Sequence, residues 1–156
     1  MGFATIFLVS WLITVIFFVM KKEFSFLENS FVILFVLIIN INWSWMIYEE
    51  WKLLEISAKP LNHTAFIITR SLTIPLIIAT AMNYIRPANS FGKSLLIMLV
   101  STFILVLLSI LSRYFHITKP IKWNLLYDIL YFFSLQLITY FFLNYFKQHK
   151  QTEVEG

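Results

Sequence analysis

Five runs of about twenty apolar residues, nearly free of charge, leave this chain few folds to choose from. Gly2–Met20, Asn29–Tyr48 and Ser94–Ser112 contain no charged side chain, Thr64–Ile85 contains only Arg70, and Asn124–Phe146 only Asp128. At a rise of about 1.5 Å per residue, each run can cross a hydrocarbon layer of roughly 30 Å. Backbone N–H and C=O groups find no water there and must bond within their own segment, so each run is expected to be a helix. The composition agrees: 60% of the residues are hydrophobic and 13% charged, against roughly half and a quarter in soluble domains. The predicted fold is an all-α, polytopic integral membrane protein. It is expected to be one domain, residues 1–156, holding a bundle of five transmembrane helices near 2–20, 29–48, 64–85, 94–112 and 124–146. Short polar connections at 21–28, 49–63, 86–93 and 113–123 imply up-down packing of neighbours, and 147–156 reads as a polar tail. The first run has no basic residues ahead of it and no small-residue cleavage site, so it is expected to be retained as a helix rather than removed as a signal.

The chain has no cysteine, which removes disulfides and thiolate metal sites. Its net charge of +4, in so apolar a chain, points to anionic lipid headgroups rather than to nucleic acid. The expected partners are the bilayer itself and either another membrane protein or further copies of the chain. Basic residues usually mark cytoplasmic loops, but here they divide evenly between the two faces. Lys21, Lys22, Arg86, Lys93, Lys147 and Lys150 share one face; Lys52, Lys59, Arg70, Arg113, Lys119 and Lys122 share the other. The lysine pair directly after the first run favours an outer N-terminus and a cytoplasmic C-terminus, in the cell membrane.

Polar residues inside apolar runs tend to face other helices, because hydrocarbon cannot satisfy them. Ser94, Ser101, Ser109 and Ser112 fall within a sector of roughly 100° of the fourth helix, a stripe suited to close packing. Asp128 and Gln136 lie on one side of the fifth. Arg70 enters the third run to a depth comparable with that of Asp128 in the fifth. The expectation is a buried Arg70–Asp128 pair, with Arg113 as the other possible partner, since a guanidinium and a carboxylate at matching depth neutralise each other. Pro75, five residues beyond Arg70, removes a backbone bond and is expected to kink the third helix.

Three further stretches invite a functional reading. The segment 42–52, NWSWMIYEEWK, puts Trp43, Trp45 and Trp51 where the second helix meets the interface. Glu49 and Glu50 follow in what reads as an amphipathic extension, continuing the helix or lying on the membrane. PANSFGKS at 87–94 ends like a phosphate-binding loop, but it has Pro87 where that pattern needs glycine and no strand precedes it. Glu49 and Glu50, with His63 and His116, could serve catalysis at the interface, yet the membrane CAAX-type proteases place an arginine where this chain has Leu54. No two of these acids and histidines have the spacing that puts metal ligands on one helix face. No catalytic residue, metal site or cofactor is therefore assigned. The resulting expectation is a small, non-enzymatic membrane protein serving as an accessory or assembly partner of a membrane complex. The alternatives are a transporter or channel component with a polar path near Arg70 and Asp128, and a lipid-modifying enzyme using Glu49, Glu50, His63 and His116.

Overall fold

The computed structural model describes residues 1–87 and 90–155. Ala88 and Asn89, inside the 87–94 stretch weighed above, and the terminal Gly156 lie outside the described residues. In chain order the elements are α1 (Gly2–Val19), α2 (Phe26–Trp45), β1 (Leu54–Ile56), α3 (Pro60–Ile68), α4 (Ile74–Ile85), α5 (Phe91–Tyr114), β2 (Thr118–Pro120) and α6 (Leu125–Glu155). A π-turn over Met46–Glu50 continues α2, and a second over Thr69–Thr73 joins α3 to α4. Five continuous helical segments are thus long and apolar enough to cross a membrane.

The third segment, Pro60–Ile85, is the centre of the bundle. Its most apolar stretch is 61% buried, against 17–33% for the other four. Within it α4 packs against α1, α2 and α5, while α6 packs against α5 and α2. Nine of the twelve residues of α4 are buried, including Ile78, Ala79 and Met82. Small residues such as Ala79 and Ala81 let the neighbouring helices approach closely. The outward faces of the other segments remain apolar, with Phe18, Leu34, Phe103 and Phe141 more than half exposed.

The structure departs from the sequence expectation in two places and adds detail at a third. First, the connections 49–63 and 113–123 are not independent polar loops. Leu54, Glu55 and Ile56 pair antiparallel with Pro120, Lys119 and Thr118 in a short ribbon, extended by bonds from Ser57 N to the Ile117 carbonyl (2.9 Å) and from Ile121 N to the Leu53 carbonyl (3.0 Å). The amphipathic extension therefore ends with the π-turn at Glu50. Lys52 (φ 48°) and His116 (φ 56°) adopt the left-handed conformation that turns the chain out of a helix toward each strand. Second, residues 147–155 are helical and prolong α6. Their Lys, Gln and Glu side chains are good helix formers, so loss of apolar character did not end the helix.

At Pro75, where the sequence predicts a disturbance of the helix, the structure places a π-turn over Thr69–Thr73, just before the proline. Ile74 N–H bonds the carbonyl of Thr69, five residues back. The carbonyl of Arg70 thereby loses its usual donor, and the next amide in the π register belongs to Pro75, which has none. Asn40 of α2 supplies the missing bond, its Nδ2 donating to the Arg70 carbonyl at 2.8 Å. The wide turn is thus tied sideways into the bundle.

Candidate ligand-binding cavity at the ribbon end

Beside the ribbon, at one end of the bundle, lies a partly open cavity of about 90 Å³. Leu54 and Thr118, one from each strand and both buried, line it at the ribbon. Arg70, Arg113 and Asp128 also line it, together with Asn40, Tyr48 and Tyr131.

Asp128 is fully engaged. Arg113 Nη2 donates to its Oδ2 at 2.6 Å and Ser109 Oγ to the same oxygen at 3.0 Å, while Trp123 Nε1 donates to Oδ1 at 2.9 Å. The expected partner Arg70 is not the one that reaches it. Matching depth was not sufficient, because α6 lies beside α5, which carries Arg113, and packs only weakly on the third segment. Trp123 and Asp128 come together because α6 begins two residues after the tryptophan, so one turn brings the carboxylate back under the indole.

Arg70 is left without an anionic partner. Its guanidinium makes no hydrogen bond or ion pair with any described residue, and its carbon lies 5.3 Å from the centre of the Phe66 ring. Such a cation–π contact is weaker than an ion pair and leaves the buried Nε unbonded. Among the described residues two buried side-chain nitrogens lack any partner, Arg70 Nε and Trp43 Nε1, and both residues line this cavity. Both are donors; a buried donor left unpaired costs about 1–3 kcal/mol. The two arginines against the single aspartate leave the cavity one positive charge in excess. What the arrangement lacks is an acceptor carrying negative charge.

A second set of polar side chains fixes the wall. Tyr131 donates to Asn40 Oδ1 (2.7 Å), and Asn40 in turn holds the Arg70 carbonyl. Trp43 stacks flat on Tyr131, with 4.9 Å between centroids and 4° between planes. Neither Asn40 nor Tyr131 was singled out from the sequence. The signal was present for Asn40: Asn29, Val32, Val36, Asn40 and Ser44 recur at a fixed spacing of three or four residues and are the buried face of α2.

The other sequence candidates fall elsewhere. Gln136, fully buried, is held by Ser101 (2.5 Å to Oε1) and by Thr102 (2.9 Å from Nε2), one layer below the cavity. Ser94, Ser101 and Ser112 are buried on α5, whereas Ser109 is half-buried and bound to Asp128. Trp45 and Trp51 are exposed, as are Glu49, Glu50, His63 and His116. Glu49 and His63 border one shallow surface groove, which Glu50 and His116 do not reach. Among the described residues no three of His, Asp and Glu converge closely enough to hold a metal ion. No family model, curated protein or solved structure matches the chain.

Proposed function

We propose that the chain is a small, multi-pass membrane protein of accessory, non-enzymatic type, and that its working part binds an anionic group in the cavity under the ribbon. The single observation that carries this reading is Arg70, a half-buried side chain whose buried Nε has no hydrogen-bond partner and whose guanidinium meets no carboxylate among the described residues. Intramembrane charges are expensive and persist where they serve a ligand, an ion or a partner. The one carboxylate beside it is consumed by Arg113, Ser109 and Trp123, which favours holding a ligand over proton transfer to one. The layer below supports a closed-ended site rather than a path: Gln136 is bonded to Ser101 and Thr102, and Ser10 to Thr73 (2.6 Å), so those polar groups satisfy one another. In the orientation favoured by the lysines after α1, the ribbon and the cavity lie on the outer face.

The test is thermal unfolding of the purified protein in an uncharged detergent. A ligand that binds only the folded state raises stability by RT ln(1 + [L]/Kd). Acetate or inorganic phosphate should raise the melting temperature over chloride at matched ionic strength, and Arg70→Gln should abolish the gain. An equal gain in Arg70→Gln, or none in either protein, would overturn the reading.

A further inference from the structure

The cavity is too small to be a whole site. Its volume of about 90 Å³ lies well below the roughly 300–1,000 Å³ typical of pockets that enclose a complete ligand. It has room for a small anionic group, and the rest of the molecule must lie outside. Beside it, between α2 and α6, runs an outward-open groove of about 540 Å³. Ile39, Leu130, Leu135 and Ile138 line it, and Trp51 and Lys122 border it as well. The stretch of α6 that borders it, Tyr127 to Ile138, is roughly 16 Å long at the rise of an α-helix. Trp43, Trp123 and Tyr131 line the cavity and the groove alike, so these three rings are the common wall.

Resting on the anion-binding reading above, we propose that the ligand is a single-chain amphiphile of the fatty-acid class, its carboxylate on Arg70 in the cavity and its hydrocarbon chain along the α2–α6 groove. One excess positive charge in the cavity matches one carboxylate. A guanidinium fork suits a carboxylate's two oxygens, and the unpaired indole N–H of Trp43 stands in the wall that the head must pass. One groove accommodates one chain, which argues against a two-chain phospholipid. The head enters between the Trp43–Tyr131 stack, carried on α2 and α6, and Trp123, which precedes α6. Aromatic side chains at such a boundary tolerate both an apolar tail and a polar head.

The experiment uses the full-length protein in nanodiscs of phosphatidylcholine, titrated with dibromostearate, whose bromines quench tryptophan fluorescence at contact. Saturable quenching is expected, since Trp43, Trp51 and Trp123 all border the groove. The uncharged methyl ester should bind about ten-fold more weakly or worse, the usual scale for losing a charge-assisted hydrogen bond. Ser134→Phe, at an exposed groove position, should weaken dibromostearate by a similar factor while leaving stabilisation by acetate unchanged. Equal quenching by acid and ester, or an unaltered titration in Ser134→Phe, overturns the proposal. Tighter binding of a brominated phosphatidylglycerol than of the fatty acid overturns it in favour of a two-chain lipid. Acetate stabilisation that depends on Arg70 separates the cases. If it is present while the fatty-acid titration fails, the anion site stands and the amphiphile does not; if both are absent, both readings fall.

Discussion

The bundle carries a polar cluster at each end, and the two are closed in opposite ways. Away from the ribbon, Asn83 is 1% exposed and uses its whole amide. Its Oδ1 accepts from the backbone N–H groups of Glu23 and Phe24, both at 3.1 Å, and its Nδ2 donates to Asn29 Oδ1 at 2.7 Å and to the Ala79 carbonyl at 2.8 Å. Arg86 beside it meets Glu28 at 2.9 Å and the Glu23 carbonyl at 3.0 Å, and Glu28 also completes the capping box with Ser25 that starts α2. This end holds the α1–α2 connection against α4. At the ribbon end Arg113 and Asp128 are equally well paired, yet Arg70 and Trp43 keep buried donors with nothing to bond. Satisfied polar groups specify a structure, whereas an unsatisfied one is a cost the fold retains for something else. The contrast is between a polar cluster whose groups satisfy one another and one that keeps two unpaired buried donors.

A series of substitutions tests that contrast, each read as thermal or denaturant stability in an uncharged detergent. The largest effect is expected at Asp128. Asp128→Leu strands Arg113 and should cost about 3–5 kcal/mol, and adding Arg113→Leu should recover much of it. The same cycle run with Arg70 in place of Arg113 should be additive; coupling there would mean that Arg70 does have a protein partner and that the comparison fails. Next comes Asn83→Leu, which unpairs Asn29 and two backbone amides and should cost about 2–3 kcal/mol. A negligible loss would show that the far end is not the closed structural cluster described. Ser101→Leu should follow at about 1–3 kcal/mol, by overpacking the α5–α6 seam and breaking the bond to Gln136. Ser101→Ala should be milder, and leucine tolerated like alanine would mean the seam is loose.

The smallest effect is expected at Arg70, and it has the opposite sign. Arg70→Met removes an unpaired charge and keeps a flexible apolar chain against Phe66. Without ligand it should be neutral or gain up to about 1 kcal/mol, as the proposed anion-binding role of Arg70 implies. A loss comparable to that of Asp128→Leu would make Arg70 a structural residue and erase the distinction between the two ends.

How much of this could be read in advance differs from residue to residue. The helical segments followed from length and apolarity alone, and the cost of charge in an apolar run drew attention to Arg70 and Asp128, the charged residues inside such runs. The partner of Asp128 did not follow, because depth along a helix is set by residue number whereas neighbour order around a bundle is not. The ribbon was invisible for a related reason: Leu54 and Pro120 are far apart in sequence, and neither three-residue strand carries a pattern long enough to announce itself. The π-turn was signalled by Pro75 only as a disturbance. Its form depends on Asn40 standing ready to take the freed carbonyl.

By itself the sequence determined that the chain forms five long apolar helices with a handful of polar residues among them. That much is local, because apolarity and helical bonding act within each segment. Tertiary structure alone decided which polar groups satisfy one another. Arg113 took the carboxylate, Asn40 took the carbonyl of Arg70, and the guanidinium of Arg70 was left over in a cavity. Such pairing depends on distances of a few ångströms between helices far apart in the chain, and no local rule encodes them.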